Sequence, residues 1–381
     1  MHILSIKPEK ILYFYLAACL AVLVFNVLYI FIDKFSGKRL DKRSLELVEG
    51  IREQCERLDR DLPVEPEYLE KLKHTMGRVS RLKAFEQSMD AVKAQISGET
   101  ALRYLRELRG VFLYLTPAYE RRDDVEKAYF ASLIEKFQID RGHTGYDGIV
   151  DYLLMMVINR NVYVRENALR ALYTVGNGEV MLSAWEKMED NEVSHSVKLL
   201  ADGLLRFTGD RLELAQILWG HRKRFSVRLT VPVMQFIRFS GFDFREEFLK
   251  VMENDLADKE LRLEAIRYFR KCTCKEGGEA LRRFLEYQEF VDWEYAAMAA
   301  LALSEYPGGE TVECLKKGLG ATNWYVRLNC AQALINGMKI PQVQLLDVYN
   351  GKDRYAREIL QYVYERAGIE NQEMELMADH V

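Results

Sequence analysis

The chain is poor in proline, with seven among 381 residues. Long uninterrupted helices are therefore open to it, since proline removes a backbone donor and clashes with the preceding turn. Glycine, at 23, is too scarce for a collagen-like or linker-dominated chain. Six cysteines are too few for a disulfide scaffold. No surplus of one charge exists: 54 Lys and Arg stand against 58 Asp and Glu, a net of −4. That argues against a general nucleic-acid binder, which needs a basic surface to displace counterions from phosphates. An apolar share of 49% argues against disorder.

Strand-like alternation is missing, as are a Gly-rich phosphate loop, a GxSxG and an HExxH. The histidines, His2, His74, His143, His195, His221 and His380, are scattered. Gly142-His143-Thr144-Gly145 reads as a polar helix–helix loop. Cys272 and Cys274 invite a metal or redox reading, yet no second cysteine pair or histidine cluster supplies zinc-type spacing. Two small residues near a helix end is the plainer reading. The expectation is a protein without catalytic residue, metal or cofactor.

The longest apolar run is Ile11–Ile32, 22 residues without a charge. As a helix it spans roughly 30 Å, the thickness of a bilayer core, which predicts a transmembrane helix behind a short segment 1–10. A cleaved signal peptide fits less well, because no small-residue cleavage site follows. Lys7 and Lys10 precede the run; Lys34, Lys38, Arg39, Lys42 and Arg43 follow it. That bias predicts a single-pass membrane protein with its C-terminal part in the cytoplasm, joined through a basic linker at 33–43. Scattered Cys55, Cys272, Cys274, Cys314 and Cys330 agree with a reducing compartment.

Residues 44–99 predict a helical hairpin. Val48, Ile51, Cys55, Leu58 and Leu62 form one helical stripe, broken by Pro63 and Pro66. Leu69, Leu72, Met76, Val79, Leu82, Phe85, Met89, Val92 and Ile96 form a second, predicting one long helix that ends near Gly98. An oligomerisation or docking stalk and a cap over the following domain are both open readings.

The remainder repeats itself. Asn161-Val-Tyr-Val-Arg165, Asp258-Lys-Glu-Leu-Arg262 and Asn323-Trp-Tyr-Val-Arg327 share one pattern: Asx, two residues, aliphatic, Arg, then a small and apolar helix face. Weaker copies hold Arg228 and Asp353 with Arg357. Asp292–Ala296 carries Ala in place of Arg, and a degenerate copy lies near Ser196. Arg-equivalent positions are 31, 32, 34, 34, 31 and 30 residues apart. Such a unit holds two helices and two short turns. The Asx can cap the first helix, and the Arg fork can reach acidic or carbonyl groups of the neighbouring unit. Second helices are predicted at 180–188, 212–221, 246–252, 279–287, 311–317 and 343–349. Glycines such as Gly241, Gly277, Gly278, Gly308 and Gly337 are read as turns between helices.

These segments resemble the HEAT-repeat family, in its short bacterial, armadillo-like form. The resemblance is clearest over 146–368 and extends to about residue 100. It implies an all-α fold: a right-handed α-solenoid of HEAT-like helical hairpins over 100–368, preceded by the one transmembrane helix, with a face that binds proteins or peptides. An acidic tail follows at 369–381, with four acids and no Lys or Arg. Asn161, Arg165, Arg228, Asp258, Arg262, Asn323, Arg327, Asp353 and Arg357 are the expected stacking residues.

The function expected is a membrane-anchored, non-enzymatic scaffold or adaptor whose solenoid binds a protein partner. By analogy with bacterial proteins of this design, the resemblance implies a membrane glycosyltransferase or an envelope polysaccharide machine as partner. Readings from other classes are a HEAT-like enzyme or accessory of the bilin-lyase kind, and an extracytoplasmic envelope-binding protein if the orientation is reversed. No nucleic acid is expected. Two features are candidate partner-binding sites. Trp293 and Trp324 occupy equivalent places 31 residues apart, suited to a binding hot spot or to packing between units. Arg222, Lys223, Arg224 and Arg228 form a basic cluster, suited to an acidic partner or to complementing a helix dipole.

Overall fold

The structure, a computed structural model, describes the backbone of residues 8–142 and 145–378; side chains are described at 13, 15–28, 37–142 and 145–368. His2, His143 and the side chains of the 369–381 tail therefore lie outside the described residues. Every regular element among the described residues is a helix. They form two compact units, Met1–Val175 and Gly176–Val381.

The first unit holds α1 (Pro8–Asp59), α2 (Pro66–Met76), α3 (Val79–Lys93), α4 (Gly98–Glu107), α5 (Arg109–Glu120), α6 (Asp124–Phe137), α7 (Gly148–Met156) and α8 (Val162–Val175). The C-terminal half of α1 buries Ser44, Ile51, Cys55 and Leu58, packing on α3 and α4. Ser88 locks that seam, donating to the Ser44 carbonyl at 2.9 Å. An aromatic core follows, with Tyr119 stacked on Phe130 at 4.3 Å and Phe130 meeting the edge of Tyr152 at 5.4 Å. Arg109 bridges Asp140 and Asp147. Burial pulls its guanidinium down, but the two carboxylates together hold it above its ordinary value.

Three expectations change here. The predicted membrane span at 11–32 is not supported: among the described residues no helix is long and apolar enough to cross a membrane. Within that run, side chains are described at Tyr13 and at residues 15–28. Ile11, Leu12, Phe14 and Tyr29–Ile32 lie outside the described side chains. The single-pass membrane localisation is therefore corrected. The linker expected at 33–43 is instead helix, because α1 runs unbroken to Asp59. The long helix expected over 69–96 is two helices, α2 and α3, separated at Gly77 and Arg78, where Arg78 turns extended (φ −107°, ψ 129°).

The second unit holds α9 (Gly178–Asp190), α10 (Val197–Leu204), α11 (Arg211–Gly220), α12 (Val227–Ser240), α13 (Arg245–Glu253), α14 (Lys259–Lys271), α15 (Lys275–Glu286), α16 (Trp293–Leu303), α17 (Gly309–Gly318), α18 (Trp324–Gln332), α19 (Leu346–Tyr349) and α20 (Arg354–Ala378). Its helices form two layers. In one, α10, α12, α14, α16, α18 and α20 pack each on the next. In the other, α9 meets α11, and α13 meets α15, which meets α17. From α11 onward, α11, α13, α15 and α17 each also pack on the first-layer helix that follows. The sequence explains the close spacing. Ala296, Ala299, Ala300 and Ala302 of α16 are fully buried, and methyl-only faces let α14 and α18 approach. After Gln332, α18 widens into a π turn over Ala333–Gly337, with the Met338 N–H reaching the Ala333 carbonyl at 2.8 Å.

Glycines act here in two ways. Gly241 ends α12 in the left-handed region (φ 73°), as a C-terminal cap should. Gly277 and Gly278 were expected in a turn but lie inside α15, where an added Cβ would stand 2.5 Å from the Phe269 ring and 2.7 Å from Tyr306. They are spacers. The tightest approach is between two turns: a Cβ on Gly209 would lie 2.1 Å from the Gly176 carbonyl oxygen. Gly209→Ala is expected to lower stability by about 1–3 kcal/mol, because backbone faces backbone and neither yields. Thermal unfolding followed by circular dichroism checks this against Gly98→Ala, whose Cβ meets open space and which should melt like the parent.

Candidate functional site

Four helix starts, those of α8 in the first unit and of α14, α18 and α20 in the second, share one device. Asn161, Asp258, Asn323 and Asp353 each cap a helix, accepting from the N–H of Tyr163, Glu260, Tyr325 and Tyr355 at 2.9, 2.8, 2.8 and 2.9 Å. The arginine four residues on then turns back to the preceding turn. Arg165 donates to the Asn159 and Arg160 carbonyls at 2.8 and 3.0 Å, and Arg357 to that of Gly351. Arg262 goes deepest: its Nε donates to the Met252 carbonyl at 3.1 Å, and its terminal nitrogen pairs with Asp255 at 2.9 Å. Met252 lies in the last turn of α13, so Arg262 satisfies a helix-end carbonyl with no intrahelical donor. Its planar face rests 4.7 Å from the centre of the Tyr295 ring.

Two motif positions differ. Arg327 spends its guanidinium on the Tyr355 ring, 5.0 Å away. Arg228 is exposed and, among the described residues, makes no ion pair. In the unit where Ala296 replaces the arginine, Lys259 of the preceding helix pairs with Asp292 at 3.3 Å and Glu294 at 2.8 Å. Glu294 first, then Asp292, raises the Lys259 ammonium above its ordinary range.

Beside these helix starts lies an aromatic row. Trp293 stacks on Tyr325 at 5.2 Å, and Trp324 meets Tyr325 edge-on at 5.1 Å. At 40%, 48% and 53% exposure for Trp293, Trp324 and Tyr325, the rings pack on each other and still face solvent. Beyond Trp324, a groove of about 400 Å³ is lined by Arg327, Tyr355, Glu358, Ile359 and Tyr362. Sequence reading singled out the two tryptophans and missed Tyr325 and Tyr355. The missed signal is their register: both stand two residues after the capping Asx of consecutive repeats.

The basic cluster disperses in three dimensions. Arg222 folds over the Trp219 ring at 4.4 Å and donates to the Trp219 carbonyl at 2.9 Å. Arg224 pairs with Glu186, while Lys223 is exposed. Arg222 and Lys223 line a cavity of about 570 Å³ with Phe225, Glu247 and Lys250, so an acid stands among the cations. None of the residues lining it belongs to the aromatic row.

Cys272 and Cys274 are free thiols at the turn between α14 and α15, and the Cys274 sulfur accepts the Gly277 N–H at 3.3 Å. Among the described residues no three His, Cys, Asp or Glu gather as a metal site. Burial, aided by Asp59, pushes the Cys55 thiol up to about 11; burial, aided by Glu286, does the same at Cys314.

No family model matches the chain, and no curated protein matches it. Among solved structures, human deoxyhypusine hydroxylase in complex with glycerol is 15% identical, covering 78% of this chain and 95% of its own, with a TM-score of 0.27. An engineered protein is 16% identical, covering 78% and 94%, with a TM-score of 0.32. Likeness at that level carries no inference about chemistry.

Two outcomes follow from the site. Arg262→Ala leaves the Met252 carbonyl and Asp255 without their donor and should cost about 2–3 kcal/mol. Arg262→Lys keeps the charge but loses the planar fork, and should recover only a fraction of that in urea unfolding. In alkylation by iodoacetamide at pH 8, Cys272 and Cys274 should react well before Cys55 and Cys314. The latter pair are about one part in a thousand thiolate at that pH, and peptide mass mapping over time gives the order.

Proposed function

We propose that this chain is a non-enzymatic scaffold or adaptor built on HEAT-type repeats. The second unit is a right-handed α-solenoid of helical hairpins, and it binds a protein partner through the outward aromatic row at the starts of α16, α18 and α20. One observation carries this reading: Trp293, Tyr325 and Trp324 form a contiguous aromatic surface that the fold leaves uncovered. Large, stiff aromatic side chains bury much apolar area at little entropic cost, which is why they dominate binding hot spots. The capping Asx and the turn-clamping arginines contribute rigidity, so the row is presented preorganised.

The test compares tagged full-length protein with its Trp293→Ala/Trp324→Ala variant. Both are cross-linked before capture, and captured partners are quantified by mass spectrometry. A specific partner is expected on the parent and should fall at least about tenfold on the variant, with an unchanged melting curve. Equal retention by both proteins would sink the reading.

A further inference from the structure

Second-layer helices do not all stand equally close. α9 and α11, α13 and α15, and α15 and α17 approach backbone to backbone, whereas α11 and α13 are held wider. Two large rings stand between them: Trp219 stacks on Phe248 at 5.1 Å. Trp219 also borders the cavity of about 570 Å³. Trp219, Arg222 and Lys223, at and just past the end of α11, form one wall; Glu247, Lys250 and Val251 of α13 form the other. Val227, Thr230 and Met234 of α12 and Leu261 of α14 close the floor. The volume lies within the roughly 300–1,000 Å³ of small-molecule sites.

Polarity is graded through this cavity. Phe225, Thr230 and Met234 are buried, whereas Lys223, Lys250 and Asn254 are exposed, so an apolar interior opens through a polar mouth. Among the described residues that line it are three cations, Arg222, Lys223 and Lys250, and one acid, Glu247, a balance of +2. The acid does not cancel the field. Glu247 stands one turn from Lys250 on α13, where opposite charges offset each other. Arg222 and Lys223, on the facing wall, are left over. Arg222 lies on the Trp219 ring and gives one N–H to the Trp219 carbonyl; neither it nor Lys223 forms an ion pair among the described residues. Ring and carbonyl fix the guanidinium in place and leave its positive charge unneutralised.

We propose that this cavity binds a small amphipathic carboxylate, with its hydrocarbon body against Phe225, Val227 and Met234 and its carboxylate at Arg222 and Lys223. Two observations set the class. Apolar residues inside favour a hydrocarbon body, which gains free energy with the area it buries. A surplus of cations at the mouth, one of them a guanidinium with N–H donors to spare, favours a carboxylate head. An alkylammonium would meet the surplus as like charge, and a neutral alkyl amide would gain the apolar contacts alone. A bare short carboxylate would gain only the head. The site stands apart from the protein-binding row, since none of its lining residues belongs to that row.

The test is calorimetric titration of the full chain with decanoate, decanamide, decylammonium and acetate, each below its micellar concentration. Decanoate is expected to bind one to one and at least about tenfold more tightly than decanamide, with decylammonium and acetate weaker still. The margin over decanamide should narrow as salt rises. Arg222→Gln/Lys223→Gln should bring decanoate down to the level of decanamide while leaving decanamide unchanged. Lys223→Gln alone, at an exposed position, should do so in part. Glu247→Gln removes the acid and should tighten decanoate. Val227→Trp fills the floor and should lose both ligands. Equal affinity for decanoate and decanamide, no one-to-one binding of decanoate, or decanoate binding that none of these variants alters overturns the proposal, as does weaker decanoate binding in Glu247→Gln. Capture of a protein partner through Trp293 and Trp324 is untouched by any of these outcomes.

Discussion

A helical hairpin of about 30 residues cannot bury its own apolar face; it has to borrow the covering surface from its neighbours. In the second unit that constraint orders everything else. The alanines of α16 exist to let α14 and α18 close in, and Gly277 and Gly278 let α15 approach Phe269 and Tyr306. The carbonyls left open at helix ends and in turns must then be satisfied, which falls to Arg262 and Arg357. Large aromatics fill that core as well, Phe236, Phe248, Tyr268 and Phe269 among them, whereas Trp293, Trp324 and Tyr325 at the starts of α16 and α18 stand outside it. Those three rings pack on one another instead of on the core.

Charge follows a related division. Arginines clustered in sequence need not be clustered in space. Arg224 finds Glu186 on another helix, and Arg222 lies flat on Trp219, so half of the cluster formed with Lys223 and Arg228 is occupied by the chain's own structure. Arg270 and Arg366, nearly a hundred residues apart, share the walls of one depression because α14, α16, α18 and α20 stand in a row. The field that a partner meets is set by this lateral neighbourhood, not by adjacency along the chain.

The helical character and the repeat were legible from the sequence because a constant period leaves its mark on every unit, even where the arginine is lost at Ala296. Second helices were located to within a few residues: 180–188 was expected and Gly178–Asp190 is seen. Features that depend on non-local geometry were not legible. Gly77 and Arg78 break an unbroken apolar stripe into a pair of helices, and α1 continues through a stretch read as a linker from its charge. Apolar length suggested a membrane span, whereas among the described residues no helix is long and apolar enough to cross one. Glycines read as turns proved to be contact points, since only the neighbouring ring reveals why a Cβ is forbidden. Of the site, the tryptophans were visible, whereas their stacking on Tyr325 and the groove beyond needed the helices side by side.

The π turn in α18 has a consequence for how such a stack varies in length. One extra residue in an α-helix rotates everything after it by about 100°, which would swing an apolar face out of its seam. A turn with one additional residue takes up that rotation within Ala333–Gly337, at the very end of the helix, while the buried Cys330 and Ala331 before it and Leu334 within it stay in the layer. At α18 the phase of the packed face is thereby insulated from one extra residue at the helix end. A repeat whose first helix ends as α18 does can thus differ by a residue from its neighbours and still keep its packed face inward.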